Sequence, residues 1–155
     1  MEIGELKKDY DALAKKYKLP SFDEINEDFE IGKIDRDCGT MLRSVRKMMM
    51  EKVVNSMGFT EMLLNPVNAP RIYFGYLKNM TQEDRNITEK LYKALAELSV
   101  DSLECEVVYS EKKEAELVKR VYSVWDSLKA DFLKILHNMK HPSSNAVKKE
   151  RSYFG

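Results

Sequence analysis

Two histidines four residues apart on a helix face the same way and can share a metal ion. His137 and His141, the only histidines of the chain, have that spacing. A metal would need one or two further ligands. The Glu-x-x-His pairs of carboxylate-bridged bundles are missing, because Lys134 stands where a glutamate would be needed. Histidine also suits the last turn of a helix, where positive charge meets the negative end of the dipole. The sequence therefore assigns no metal and no cofactor.

A second cluster is cationic. Arg43, Arg46 and Lys47 fall at i, i+3 and i+4, on one side of a helix. Together with Arg71 they could hold a phosphate or an acidic partner through charge-assisted hydrogen bonds. They could equally pair with Asp23, Glu24, Glu27 and Asp28 of the acidic stretch before them. A third candidate is the corner around Pro66 and Pro70. Asn65, Asn68 and Arg71 frame it, with Tyr73 and Tyr76 close by. Prolines stiffen a loop and let its polar groups converge on a ligand, though asparagine is also an ordinary turn residue. Lys148, Lys149 and Arg151 near the C-terminus offer a further anion-binding stretch.

Nothing marks a catalytic centre. The chain lacks the phosphate-cradling, dinucleotide-binding, nucleophile-elbow and zinc-protease signatures. Cys38 and Cys105 belong to no C-x-x-C unit and fit a reducing compartment. No catalytic residue is assigned, and the reading leans away from an enzyme.

The elements that would position these groups are helical. Ile3, Leu6, Tyr10, Leu13 and Tyr17 form one stripe, stopped by Leu19-Pro20. Ser21 and Glu24 make a capping box for a short acidic helix burying Phe22, Ile25 and Phe29. Thr40 opens a helix over 41–57 with a methionine-rich face, and Gly58 suits its C-terminal cap. Within Met48-Met49-Met50, the phase leaves Met50 exposed. Residues 71–80 fit a helix or a short strand. Thr81 starts a helix lined by Ile87, Leu91, Leu95 and Leu98. Its phase breaks near residue 100, where Leu103, Cys105, Val107 and Tyr109 alternate with glutamates as a strand would. Ser110 opens the longest element, Glu111 to Lys140, with Val118, Val121, Trp125, Leu128, Phe132, Ile135 and Met139 in a heptad-like seam.

These elements make an all-α bundle of four to six helices with a long C-terminal spine helix, and leave 100–109 open to an extended reading. One domain is expected over 1–141, followed by a tail over 142–155. The 155 residues carry 26 basic and 26 acidic side chains, a balance that argues against a dedicated nucleic-acid binder. Charge is blocked, however: 1–37 and 61–110 are net acidic, 38–60 and 111–155 net basic. The longest uncharged run, Met62 to Pro70, is nine residues, far short of the ~20 a membrane span needs. No secretory leader is legible at Met1 to Glu5. The expectation is a cytoplasmic, non-enzymatic protein–protein interaction module, with no membrane association. The heptad-like helix suggests a homodimer. The alternative is a nucleic-acid or phosphate-ligand module using the basic helix face.

Overall fold

Backbone groups at helix ends need partners, and the sequence supplies them. In the computed structural model, which describes residues 3–34 and 40–141, the first helix, α1, spans Ile3–Tyr17. It ends at Lys18 in the left-handed region. The capping box then forms as expected. Ser21 Oγ accepts from the Glu24 amide at 3.2 Å, and Glu24 Oε2 accepts from the Ser21 amide at 2.8 Å. It launches α2, Phe22–Phe29, whose Phe22, Ile25 and Phe29 are all buried. Glu30 turns left-handed, and a 3₁₀ turn over Ile31–Lys33 follows.

Helix α3 runs Met41–Leu64. It passes through Gly58, which was expected to cap it. A glycine permits a left-handed exit but does not force one. The stop comes from Asn65-Pro66, because the proline ring disfavours helical backbone in the residue before it. A Cβ added at Gly58 would meet nothing within 4 Å. The methionine expectation is also corrected: Met50 is buried with Met49, and Met48 is half-buried.

Residues 71–78 are helical rather than extended, as a 3₁₀ turn at Arg71–Tyr73 followed by α4, Phe74–Lys78. Thr81 Oγ1 accepts from the Asp84 amide and starts α5, Gln82–Val107. The extended reading of 100–109 therefore fails: the helix continues to Val107, and only the short link to α6 lies beyond it. Helix α6, Glu111–Lys140, has 30 residues and is about 45 Å long.

Among the described residues there are six α-helices and no strand, an all-α bundle. The chain groups into two compact units. Among the described residues, unit one holds 3–34, 40–56 and 94–127, and unit two holds 57–93 and 128–141. In unit one, Leu6, Tyr10, Ile25, Phe29, Val45, Met49, Leu95, Leu98, Val118, Val121 and Trp125 are buried. Phe29 packs on Trp125 with ring centres 5.9 Å apart. Tyr10 donates to the Pro20 carbonyl at 2.7 Å, and burial raises its phenol pKa. In unit two, Leu63, Leu91, Leu128 and Ile135 are buried, with Thr60, Asp84 and Thr88. Asp84 takes hydrogen bonds from Asn138 at 2.9 Å and Tyr76 at 3.3 Å.

Candidate functional site

In unit one the cationic side of α3 meets carboxylates of α5 and α6. Arg46 is one of the largest fully buried side chains of the molecule. Its Nε and Nη2 donate to the two oxygens of Glu114 at 2.7 and 3.1 Å, the two-pronged geometry that a guanidinium and a carboxylate match best. Nη1 donates to Ser102 Oγ at 3.0 Å and lies 2.9 Å from Glu106 Oε1. Glu114 is itself fully buried. Burial alone would lower the pKa of Arg46, but the two glutamates outweigh it and hold it above its usual value.

Arg43 Nη2 donates to the other oxygen of Glu106 at 2.7 Å. The Arg43 guanidinium lies 6.0 Å from the Tyr109 ring. Hydrogen bonds from Arg43 and then Arg46 pull the Glu106 carboxyl from 4.5 down to about 2. Lys47 Nζ stands 3.9 Å from Glu106 and keeps most of its surface in water. The cationic cluster thus exists as the spacing suggested, but its partners are Glu106 and Glu114 rather than the acidic stretch of α2. The buried Arg46 has its donors directed at protein acceptors.

The sequence held a signal for this pair. Arg46 is in phase with the buried Leu42, Met49 and Val53, and Glu114 with the buried Val118, Val121 and Trp125. One opposite charge inside each of two apolar stripes implies that the two meet.

The proline corner belongs to unit two. Asn65, Asn68 and Arg71 are exposed there, as are Val67, Ile72 and Phe74. Tyr73 packs edge-on against Phe59 at 6.3 Å, and the Tyr76 hydroxyl is committed to Asp84. The imidazoles of His137 and His141 lie 4.9 Å apart on α6. Among the described residues, no group of three or more His, Cys, Asp or Glu side chains is placed to hold a metal. Cys105 is buried, and burial, followed by the Glu114 charge, raises its thiol pKa. That is the reverse of an activated thiolate. Cys38 and the basic residues at 148, 149 and 151 lie outside the described residues.

A surface that sequence reasoning missed lies on the second half of α5. Leu95, Leu98, Ser102 and Cys105 face the core. Rotating by 100° per residue, Ala96, Val100, Leu103 and Val107 fall on the opposite side, at spacings of four, three and four. Val100, Leu103 and Val107 are 57, 64 and 83% exposed, and Val108 and Tyr109, beyond the end of α5, are exposed too. Glu97 and Glu104 flank this seam on one side and Glu106 on the other. An open groove of about 600 Å³ adjoins Glu106, with Lys47, Met50, Glu51 and Val54 of α3 in its wall.

No family model matches the chain, and neither does any curated protein or solved structure. No helix among the described residues is long and apolar enough to cross a membrane.

Proposed function

We propose that the protein is a helical protein–protein interaction module that docks a partner on the exposed seam of α5. One observation carries this reading: an apolar a/d-type stripe, Val100-Leu103-Val107, continued by the half-buried Ala96, is turned to water on the face opposite the core. Exposed apolar side chains scattered singly are ordinary, whereas a contiguous stripe is a mark of an interaction surface. Its spacing is the one an α-helix of a partner can match with knobs in holes.

The heptad-like spacing of α6 is what suggests a homodimer from the sequence. Its residues Val118, Val121, Trp125, Leu128 and Ile135 are buried within the protomer. Phe132 and Met139 of that seam are half-buried, so most of it is used within the fold, and the stripe of α5 is the more exposed surface. An anion-binding role for the α3 cations has less support, since Arg43 and Arg46 are held by glutamates.

The test is site-specific photocrosslinking in the cells the protein comes from, with the crosslinker at Val100 and, as a control, at the exposed Lys112 of α6. A discrete protein should be captured from Val100 and not from Lys112. Its binding, reconstituted with purified components, should weaken at least tenfold in Leu103→Asp. Equal capture at both positions, or binding unaffected by Leu103→Asp, would overturn the proposal.

A further inference from the structure

The charges beside the α5 seam say which kind of helix fits it. Resting on the docking role proposed for that seam, we infer that its occupant is an amphipathic helix of another protein whose apolar stripe is flanked by lysines or arginines.

With Val100 and Leu103 as the seam positions, Glu97 and Glu104 occupy equivalent flanking places one heptad apart. In paired helices such positions face the flanks of the neighbour and set the choice of partner. Both glutamates are exposed. Arg120 is bound mainly to Asp101 and reaches Glu97 only at 3.9 Å. Glu104 shares a small cleft with Lys113, yet no ion pair joins them among the described residues. On the other flank Glu106 is already paired with Arg43 and Arg46, with Lys47 at 3.9 Å, so it adds no acidic border. The seam is therefore an apolar strip with an acidic border on its Glu97 and Glu104 side.

A second copy is the poorer occupant. In an antiparallel pair of α5 seams, Glu97 and Glu104 of one copy would face the same glutamates of the other. Like charges at these places oppose pairing, and opposite charges favour it. A basic-flanked helix replaces repulsion with attraction on the same apolar contacts.

The experiment uses the full chain and two synthetic 21-residue helices. Both carry the same leucine and isoleucine heptads; one has lysine at the flanking positions, the other glutamate. Binding is read by fluorescence anisotropy at low and moderate salt. The lysine-flanked helix should bind about tenfold tighter, a ratio of the order expected from a few exposed ion pairs changed from repulsive to attractive. The advantage should shrink as salt screens the charges. Glu97→Lys/Glu104→Lys should reverse the preference, with circular dichroism confirming an unchanged helix content. Leu103→Asp should abolish binding of both helices.

Equal binding of the two helices, or an unchanged preference in the charge-reversed variant, would overturn the basic-partner inference. It would leave the docking seam standing if crosslinks at Val100 persist. A chain that sediments as a dimer broken by Leu103→Asp would assign the seam to a second copy and sink the inference. Loss of crosslinks at Val100 would remove the seam itself.

Discussion

At the residue scale the dominant feature is a charge where a core residue should be. Arg46 and Glu114 are both buried and meet with two hydrogen bonds. Taking both ions out of water is costly, and their attraction roughly offsets that cost. Removing one partner strands the other. Arg46→Met or Glu114→Leu alone should each cost about 3–5 kcal/mol in urea unfolding. The double variant should cost much less than the sum, because it leaves no unpaired charge. Simple additivity would show that the two groups are not coupled. Glu106 makes a prediction in pH. Its carboxyl titrates near 4.5 when free and near 2 when held by the arginines. A carboxylate with a depressed folded pKa contributes stability that is complete above its unfolded pKa and lost as pH falls through the folded one. Its contribution should therefore be intact above about pH 5 and decay between roughly pH 4.5 and 2. Glu106→Gln should flatten that part of the urea midpoint–pH curve. An unchanged acid limb would mean that Glu106 is not held in solution. Arg46 and its neighbours were legible as a cationic cluster, because spacing alone gives a shared helix face. Their acceptors lie 56 to 68 residues away in sequence, and no local pattern reports such distances.

At the element scale, starts were easier to read than ends. The box at Ser21 and Glu24, Thr81 and Ser110 act as local hydrogen-bond acceptors, so they appear where the chain spells them. Ends depend on what the backbone is allowed to do next. Gly58 permits an exit from α3 that the helix does not take, and Asn65-Pro66 imposes one. Gly58→Ala distinguishes these roles. In a helix interior with open space at its Cβ, alanine should stabilise by about 0.5–1 kcal/mol. At a left-handed cap it would destabilise, so a drop in unfolding midpoint would restore the cap. The second half of α5 misled for a related reason. Leu103 and Val107 are apolar without being buried, and their alternation with Glu104 and Glu106 imitates a strand. Periodicity reports the buried face only when apolar residues stay inside. Here a second apolar stripe, on the opposite face of the same helix, blurred the first. The misread stretch is the one that carries the candidate docking seam, as expected where a local rule yields to an interaction surface.

At the scale of the whole molecule, opposite charges far apart in sequence pair inside each compact unit. In unit one, the α3 cations take Glu106 and Glu114, Arg120 takes Asp101, and Lys16 takes Glu111. In unit two, Lys90 takes Asp131 and Lys134 takes Glu83. Most of these pairs are exposed and contribute little stability individually. Their larger effect is cancellation, since 26 basic and 26 acidic side chains leave no net charge near pH 7. A molecule without net charge lacks the long-range repulsion that keeps copies apart. Weak, non-specific self-attraction should therefore peak near the isoelectric pH of about 6.8. Static light scattering should give its lowest second virial coefficient there, rising as the pH moves away in either direction and the chain gains net charge. This attraction arises from opposed surface blocks, so about 0.15 M salt should weaken it by screening. Docking on the α5 seam differs, because its apolar contacts persist in salt. Leu103→Asp should accordingly leave the pH profile of the virial coefficient nearly intact while abolishing partner binding. A virial coefficient flat from pH 6 to 9 would refute the charge-balance account, and a profile erased by Leu103→Asp would trace the self-attraction to the seam instead.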